Sequence, residues 1–319
     1  MNRFHNQKHL RQLINPEGIL LLMSMLFLVL ILIQCKSDNN VKDQSTISAD
    51  VESDTELTPK EKYDLAKVKY LKESENPDAL IWFGRRAAYL GNYNEAIKIY
   101  SEGIQKHPND ARMYRHRGHR YISTRQYDKA IEDLEYAAKL VEGKEDQVEP
   151  DGLPNDKNIP LSTLHGNIWY HMGLVYYLKN DMENALRAYQ HRTVTERYDD
   201  NVVSGGYWLY MILRRMGKTE EANAAIEAVH EEMDIIENFS YYNMCLFYKN
   251  LISDESLKPN DSNSSNDNVY LYALGNWNLY HQKDTTQAKN YYRQLLDEGN
   301  KYSFAYLAAE SDWNRLFAK

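Results

Sequence analysis

The chain has 319 residues, 26% of them charged and 43% hydrophobic, with a formal net charge of −8. That length suits two domains or one long repeat array, and the acidic balance argues against nucleic acid as the default partner. Two cysteines, Cys35 and Cys245, are too few for a disulfide framework. Tyr is abundant, 26 against 7 Phe, as in a fold that needs large side chains with one wet edge.

Residues 1–18 carry Arg3, Lys8 and Arg11 against one acid, Glu17, and residues 19–34 hold no charge. A basic leader before so short an apolar run predicts a signal-peptide core over 1–35 rather than a spanning helix, which needs about 20 apolar residues. Leu32-Ile33-Gln34-Cys35 resembles the lipobox of bacterial lipoproteins, with Gln34 where that motif favours Gly, Ala or Ser. The resemblance implies lipidation of Cys35. The other reading is an uncleaved anchor, and both put the rest of the chain outside the cytoplasm, membrane-anchored in a bacterial cell envelope and facing periplasm or cell surface. Residues 36–57, with no aromatic side chain, read as a disordered tether.

Residues 58–76 follow as a capping helix, with Tyr63, Leu65, Val68, Tyr70 and Leu71 set among lysines. From residue 77 one spacing recurs: a glycine, an alanine twelve residues on, and a large residue four after that. Gly84, Ala96 and Tyr100 meet it, with Pro108 at the exit; Gly118, Ala130 and Leu134 repeat it 34 residues later. These are two units over 77–144. A Pro/Gly-rich insert over 145–165, with Pro150, Gly152, Pro154 and Pro160, cannot continue a helix. It reads either as a surface loop or as a lid over the inner face. Units three and four span 166–236. Gly173, Ala185 and Tyr189 mark the third; Tyr210 takes the glycine position of the fourth, with Gly217, Ala222 and Ile226 in register. A helix of irregular register covers 237–252, with Cys245 as a packed thiol, and a polar linker covers 253–267. The last unit, with Gly275, Ala288 and Tyr292, has one extra residue in its turn and runs with a closing helix over 268–319.

This pattern resembles the tetratricopeptide-repeat (TPR) family over roughly residues 77–315. The resemblance implies an all-α fold, a right-handed superhelical solenoid of helix-turn-helix hairpins whose first helices line a concave groove. Carried onto this chain, the groove positions are Arg85, Tyr89, Arg112, Arg115, His119, Tyr170, Tyr177, Tyr207, Arg214, Tyr272 and Asn276. A basic and aromatic set of this kind suits a protein or peptide partner with acidic groups, though each arginine can equally lie over apolar surface and pair with a nearby acid.

No nucleophile elbow, phosphate loop, paired-cysteine metal motif or dinucleotide fingerprint occurs in the sequence. The expectation is therefore a scaffold and not an enzyme, with no cofactor and no metal. Two other classes stay open: a carbohydrate-binding surface lipoprotein using exposed aromatics, and a metal-dependent enzyme built on His116, His119 and His171. Flanking Arg115, Arg117 and Arg120 oppose a bound cation at those histidines.

Overall fold

A computed structural model describes residues 57–257 and 265–318. The leader, Cys35 and nearly all of the expected tether lie outside the described residues, as do residues 258–264 of the linker. The chain divides into two compact units, Met1–Lys62 and Tyr63–Lys319. In the first, Thr58 and Glu61 cap each other: the Thr58 N–H donates to the Glu61 carboxylate at 2.8 Å, and the Glu61 N–H to Thr58 Oγ1 at 3.3 Å. No described helix is long and apolar enough to cross a membrane.

The described residues form thirteen α-helices and no strand. The first is α1 (Pro59–Lys72), followed by the hairpins α2 (Pro77–Tyr89) with α3 (Tyr93–Lys106) and α4 (Ala111–Ser123) with α5 (Tyr127–Val141). After the insert come α6 (Leu164–Leu178) with α7 (Met182–Thr193), and α8 (Asp199–Arg215) with the short α9 (Thr219–Ala225). Then follow α10 (Phe239–Tyr248), α11 (Ser265–Trp277) with α12 (Thr285–Glu298), and α13 (Phe304–Leu316). From α2 to α9 and from α10 to α13 each helix packs on the next, and α9 and α10 both pack on α8, because a single hairpin cannot bury its own apolar face.

The glycine spacing has a direct physical meaning. A Cβ placed on Gly84 would lie 2.5 Å from the Tyr100 ring; on Gly173, 2.5 Å from Tyr189; on Gly275, 2.4 Å from Tyr292. Each aromatic lies flat in the gap that its glycine leaves, and all three rings are fully buried. Each hairpin turn holds one residue of left-handed backbone: Gly91, Arg125, Asn180, Gly217 and Lys283. The first four stand seven residues after the glycine position. Lys283 stands eight after Gly275, because a π turn over Asn278–Gln282 absorbs the extra residue of the last unit.

Unit four departs from this pattern. Tyr210 does not meet its own hairpin partner but stacks on Tyr248 of α10, with ring centroids 4.2 Å apart. The close approach falls instead at Gly206, whose Cβ position lies 3.2 Å from the Ala225 carbonyl oxygen and 3.4 Å from Ile226. The crossing is one turn earlier, and α9 has only seven residues. The loop after α9 is tied down by Asp200, which is fully buried and accepts the backbone N–H groups of Ile236, Glu237 and Asn238, each at 2.8 Å. Cys245 is buried and free, and burial pushes its thiol pKa up, which makes it inert. In α1, Tyr63 and Tyr70 pack against Phe83, while Leu65, Val68 and Leu71 are exposed.

The last helix does not merely close the stack. Helix α13 also packs on α6, with the Ser311 hydroxyl donating to the Leu178 carbonyl. Arg125 ion-pairs with Glu310 at 3.0 Å, across 185 positions of chain. The array thus brings its end back against its own third and second units.

Candidate inner-face binding site

The insert leaves α5 and is pinned at its base by an isolated bridge between Val148 and Thr163. The Glu149 N–H donates to the Ser162 carbonyl at 2.9 Å, and Thr163 then caps α6 through the Gly166 N–H. This holds residues 149–154 against α2 and α4. Arg85 Nη1 donates to the Pro150 carbonyl at 2.8 Å, and Arg86 Nη1 to the Gly152 carbonyl at 2.9 Å. Arg115 pairs with the Glu149 carboxylate at 2.7 Å, both side chains being 10% exposed. Gly152 sits so close to Tyr89 that a Cβ would lie 2.0 Å from the phenol oxygen. An acidic, extended, proline-containing segment of the chain therefore lies across basic and aromatic residues of the first helices.

Asp151 completes this contact. One of its carboxylate oxygens is buried without a hydrogen-bond partner, and its pKa is pushed up to about 6 by burial and by Glu237 and Glu149, against the pull of Arg85. A pKa raised on docking means that the docked segment holds the proton more tightly than the free one. That stabilisation is complete below the ordinary value of 3.8 and is lost as pH rises through about 6. Hydrogen exchange over 149–154, corrected for intrinsic rates, is expected to show protection falling from about pH 4 until just above pH 6. Asp151→Asn should abolish the slope; an unchanged slope in that variant would assign it to another group.

The other residues expected in a groove have varied surroundings. Arg112 is committed to Asp78 and Asp110, both at 2.6 Å. His119 packs at a tilt against His171, centroids 4.2 Å apart, and against Phe304 of α13. Tyr170 accepts from the Trp208 indole N–H at 2.9 Å. Arg214 lies 2.9 Å from His281 Nδ1 at the exposed edge. Tyr177, Tyr207, Tyr272 and Asn276 are buried, and the Tyr177 and Tyr272 hydroxyls meet at 2.6 Å. Tyr272 donates to Asp312 of α13 at 2.9 Å, and Tyr207 packs against Tyr241 and Tyr248 of α10. These four carry packing and leave no surface for a partner in this conformation.

Among the described residues no three His, Cys, Asp or Glu side chains converge as a metal set would. His116, His119 and His171 are held well below the usual imidazole range, by burial first and by neighbouring arginines. They are neutral, and the His116 Nδ1 is engaged by Arg115 at 2.8 Å. Arg86 had no sequence signal of its own and faces the insert from a helix position next to the expected Arg85, while Glu149, in the insert read as surface loop or lid, supplies the acid from the chain itself.

Comparison with known proteins agrees with this architecture. Tetratricopeptide-repeat models match residues 83–146, 166–191 and 270–298. Human tetratricopeptide repeat protein 13 is 29% identical over 126 residues, 39% of this chain and 13% of that protein. Human tetratricopeptide repeat protein 12 is 38% identical over 80 residues, 24% of this chain and 11% of that protein. The chain thus spans only a small part of these relatives. Among solved structures, YrrB, described as a TPR protein with an unusual peptide-binding site, aligns with TM-score 0.42 at 16% identity, covering 77% of this chain and 97% of that one. Naa15/Naa10 bound to HypK-THB aligns with TM-score 0.36 at 15% identity, covering 80% and 36%. The three matched repeat segments, together with the hairpins and glycine–aromatic contacts of the chain itself, make the fold a tetratricopeptide-type helical solenoid.

Proposed function

We propose that this protein is a non-catalytic interaction scaffold whose inner face takes an acidic, extended peptide from a partner protein. The observation that carries the reading is the engagement of Glu149–Gly152 by Arg85, Arg86 and Arg115. Guanidinium groups grip the carbonyls and the carboxylate of that segment, and a partner with the same chemistry would displace it. The same reading places the scaffold in a bacterial envelope, tethered through lipidated Cys35 and residues 36–57. The basic leader, the apolar run and the lipobox-like tetrapeptide support this.

Crosslinking of the full chain in its native host, followed by mass spectrometry, tests the scaffold. Arg85→Ala is expected to lower partner recovery by roughly tenfold or more, the worth of a charge-assisted hydrogen bond. Glu149→Gln, which weakens the internal competitor, should raise recovery. Unchanged profiles in both variants, at unchanged helicity, would remove the inner face from the reading. Metabolic labelling with a lipid analogue tests Cys35 separately, the label being absent from Cys35→Ser.

A further inference from the structure

Next to the face covered by the insert, and sharing Arg115 with it, lies a cavity of about 320 Å³, bounded by α4, α6, α8, α10, the C-terminal end of α7, the first residue of α13 and residues 161–163 of the insert. That volume is at the small end of ligand pockets, which run about 300–1,000 Å³. We propose that it is a binding site for a small organic carboxylate, gripped by Arg192 and the Tyr241 hydroxyl. The site goes beyond the peptide-binding reading and does not depend on it.

Arg192, on the last turn of α7, is 6% exposed and lines the cavity. Its Nη1 has no hydrogen-bond partner, and its Nη2 makes one long bond to Ser204 Oγ at 3.4 Å. The nearest carboxylate oxygen, on Glu196, stands 3.6 Å away, beyond hydrogen-bonding distance. A buried guanidinium with so few of its five donors used is costly unless something else accepts from it. Burial pushes the Glu196 pKa up to about 7, against the pull of Arg192, so that acid is a weaker counter-ion than an ordinary carboxylate.

The other charged groups around the cavity have closer counter-charges or lie at its rim. Arg115 pairs with Glu149 at 2.7 Å, and the Glu149 Oε2 also accepts from Asn167 at 2.5 Å, which leaves the Arg115 Nε and the Glu149 Oε1 buried without partners. Glu237 stands at the exposed rim, bonded to Asn155 at 2.8 Å. His119 and His171 are neutral; the His171 Nδ1 bonds to the Asn167 carbonyl at 2.6 Å. The guanidinium with the most distant counter-charge is therefore that of Arg192, 3.6 Å from Glu196 against 2.7 Å for Arg115 and Glu149.

The hydroxyl donor follows from a directed chain. The Trp208 N–H donates to the Tyr170 oxygen at 2.9 Å, and the Tyr170 hydroxyl donates to the Tyr241 oxygen at 3.4 Å. The Tyr241 hydrogen is thereby left to point elsewhere, and Tyr241 lines the cavity. One planar fork and one hydroxyl donor match the two oxygens of a single carboxylate. Tyr170 and Phe304, with ring centroids 6.1 Å apart, offer faces for the body of the ligand. A phosphate would bring a second charge against Glu196 and Glu149, which disfavours it.

Calorimetric titration and thermal shift of the soluble chain with benzoate, glucuronate, pyruvate and inorganic phosphate, each alone, test the site. An acidic peptide is a fifth arm, because a carboxylate can also arrive on a side chain. At least one carboxylate is expected to bind, with Arg192→Gln weakening it roughly tenfold or more and Tyr241→Phe roughly threefold to tenfold. Arg192→Lys, which keeps charge without the fork, should fall between, and it replaces Arg192→Gln if that variant loses helicity. Peptide binding that needs Arg192 supports the same chemistry with a peptide as its source. No binding in any arm, binding unchanged in the Arg192 and Tyr241 variants, or phosphate binding as tightly as the carboxylates would overturn the proposal. None of these outcomes alters partner capture through Arg85, so failure here and failure of the scaffold reading are distinguishable.

Discussion

Replacing Asp312 by alanine is expected to destabilise the protein by about 3–5 kcal/mol, the cost of leaving a buried charge without its partner. Asp312 is 2% exposed at the centre of α13. It accepts from Arg215 at 3.0 Å, from Arg315 at 2.9 Å and from the Tyr272 hydroxyl at 2.9 Å. The Arg215 side chain is itself only 3% exposed, lies 4.4 Å over the Tyr177 ring, and reaches Asn180 at 2.6 Å. Water cannot replace the carboxylate at that arginine, so the loss falls on the docking of α13. Denaturant unfolding measures the loss, and hydrogen exchange should show 304–316 opening before the hairpins. Asp312→Asn keeps an acceptor for Tyr272 and should lose less. Combining Asp312→Ala with Arg215→Met removes the orphaned charge and should recover part of the stability. An Asp312→Ala variant within 1 kcal/mol of the parent, by the range given above, would mean that α13 is held by its apolar face alone.

The second large effect belongs to the glycines that admit an aromatic ring. Gly173→Ala is expected to cost about 1–3 kcal/mol by overpacking. The new Cβ would lie 2.5 Å from two carbons of the Tyr189 ring. Tyr189 is fully buried and boxed by Tyr170 and Trp208, so it has nowhere to go. Gly118→Ala should be milder, because its Cβ meets Leu134 Cγ at 2.9 Å and a leucine can change rotamer. A Gly173→Ala/Tyr189→Leu double variant should lose less than the sum of the two single changes, since the smaller side chain relieves the clash. Equal costs at Gly173 and Gly118 would rule out ring clash as the reason for the spacing.

The two cases differ in how far apart along the chain their partners lie. The Gly173 and Tyr189 pair sits within one hairpin, sixteen residues apart, and was legible as a repeat spacing. Asp312 meets Arg215 across 97 residues, and no periodicity marks that distance. The same division runs through the candidate site. Arg85, Tyr89 and Arg115 were legible as first-helix residues of a basic and aromatic face. That the chain covers this face with its own Glu149–Gly152 was open until the insert was seen docked. Arg192 lies on a second helix, where groove reasoning does not look. In unit four, Tyr210 held the glycine position by count, yet the helices cross at Gly206, because Tyr210 found Tyr248 of a helix outside the repeat.

By itself the amino-acid sequence determined the helical hairpins and the small–large spacing that marks them in every unit but the fourth. Those features depend on contacts within about one repeat of 34 residues, where small and large side chains at fixed spacing leave one way to pack. Only the tertiary structure decided what fills the inner face. Asp312 of α13 meets Tyr272; Tyr241 and Tyr248 of α10 pack on Tyr207; and the insert engages Arg85, Arg86 and Arg115. The physical reason is that those contacts join segments from 34 residues apart, Arg115 to Glu149, to 66, Arg86 to Gly152, set by how hairpins and insert pack together and not by any repeat spacing.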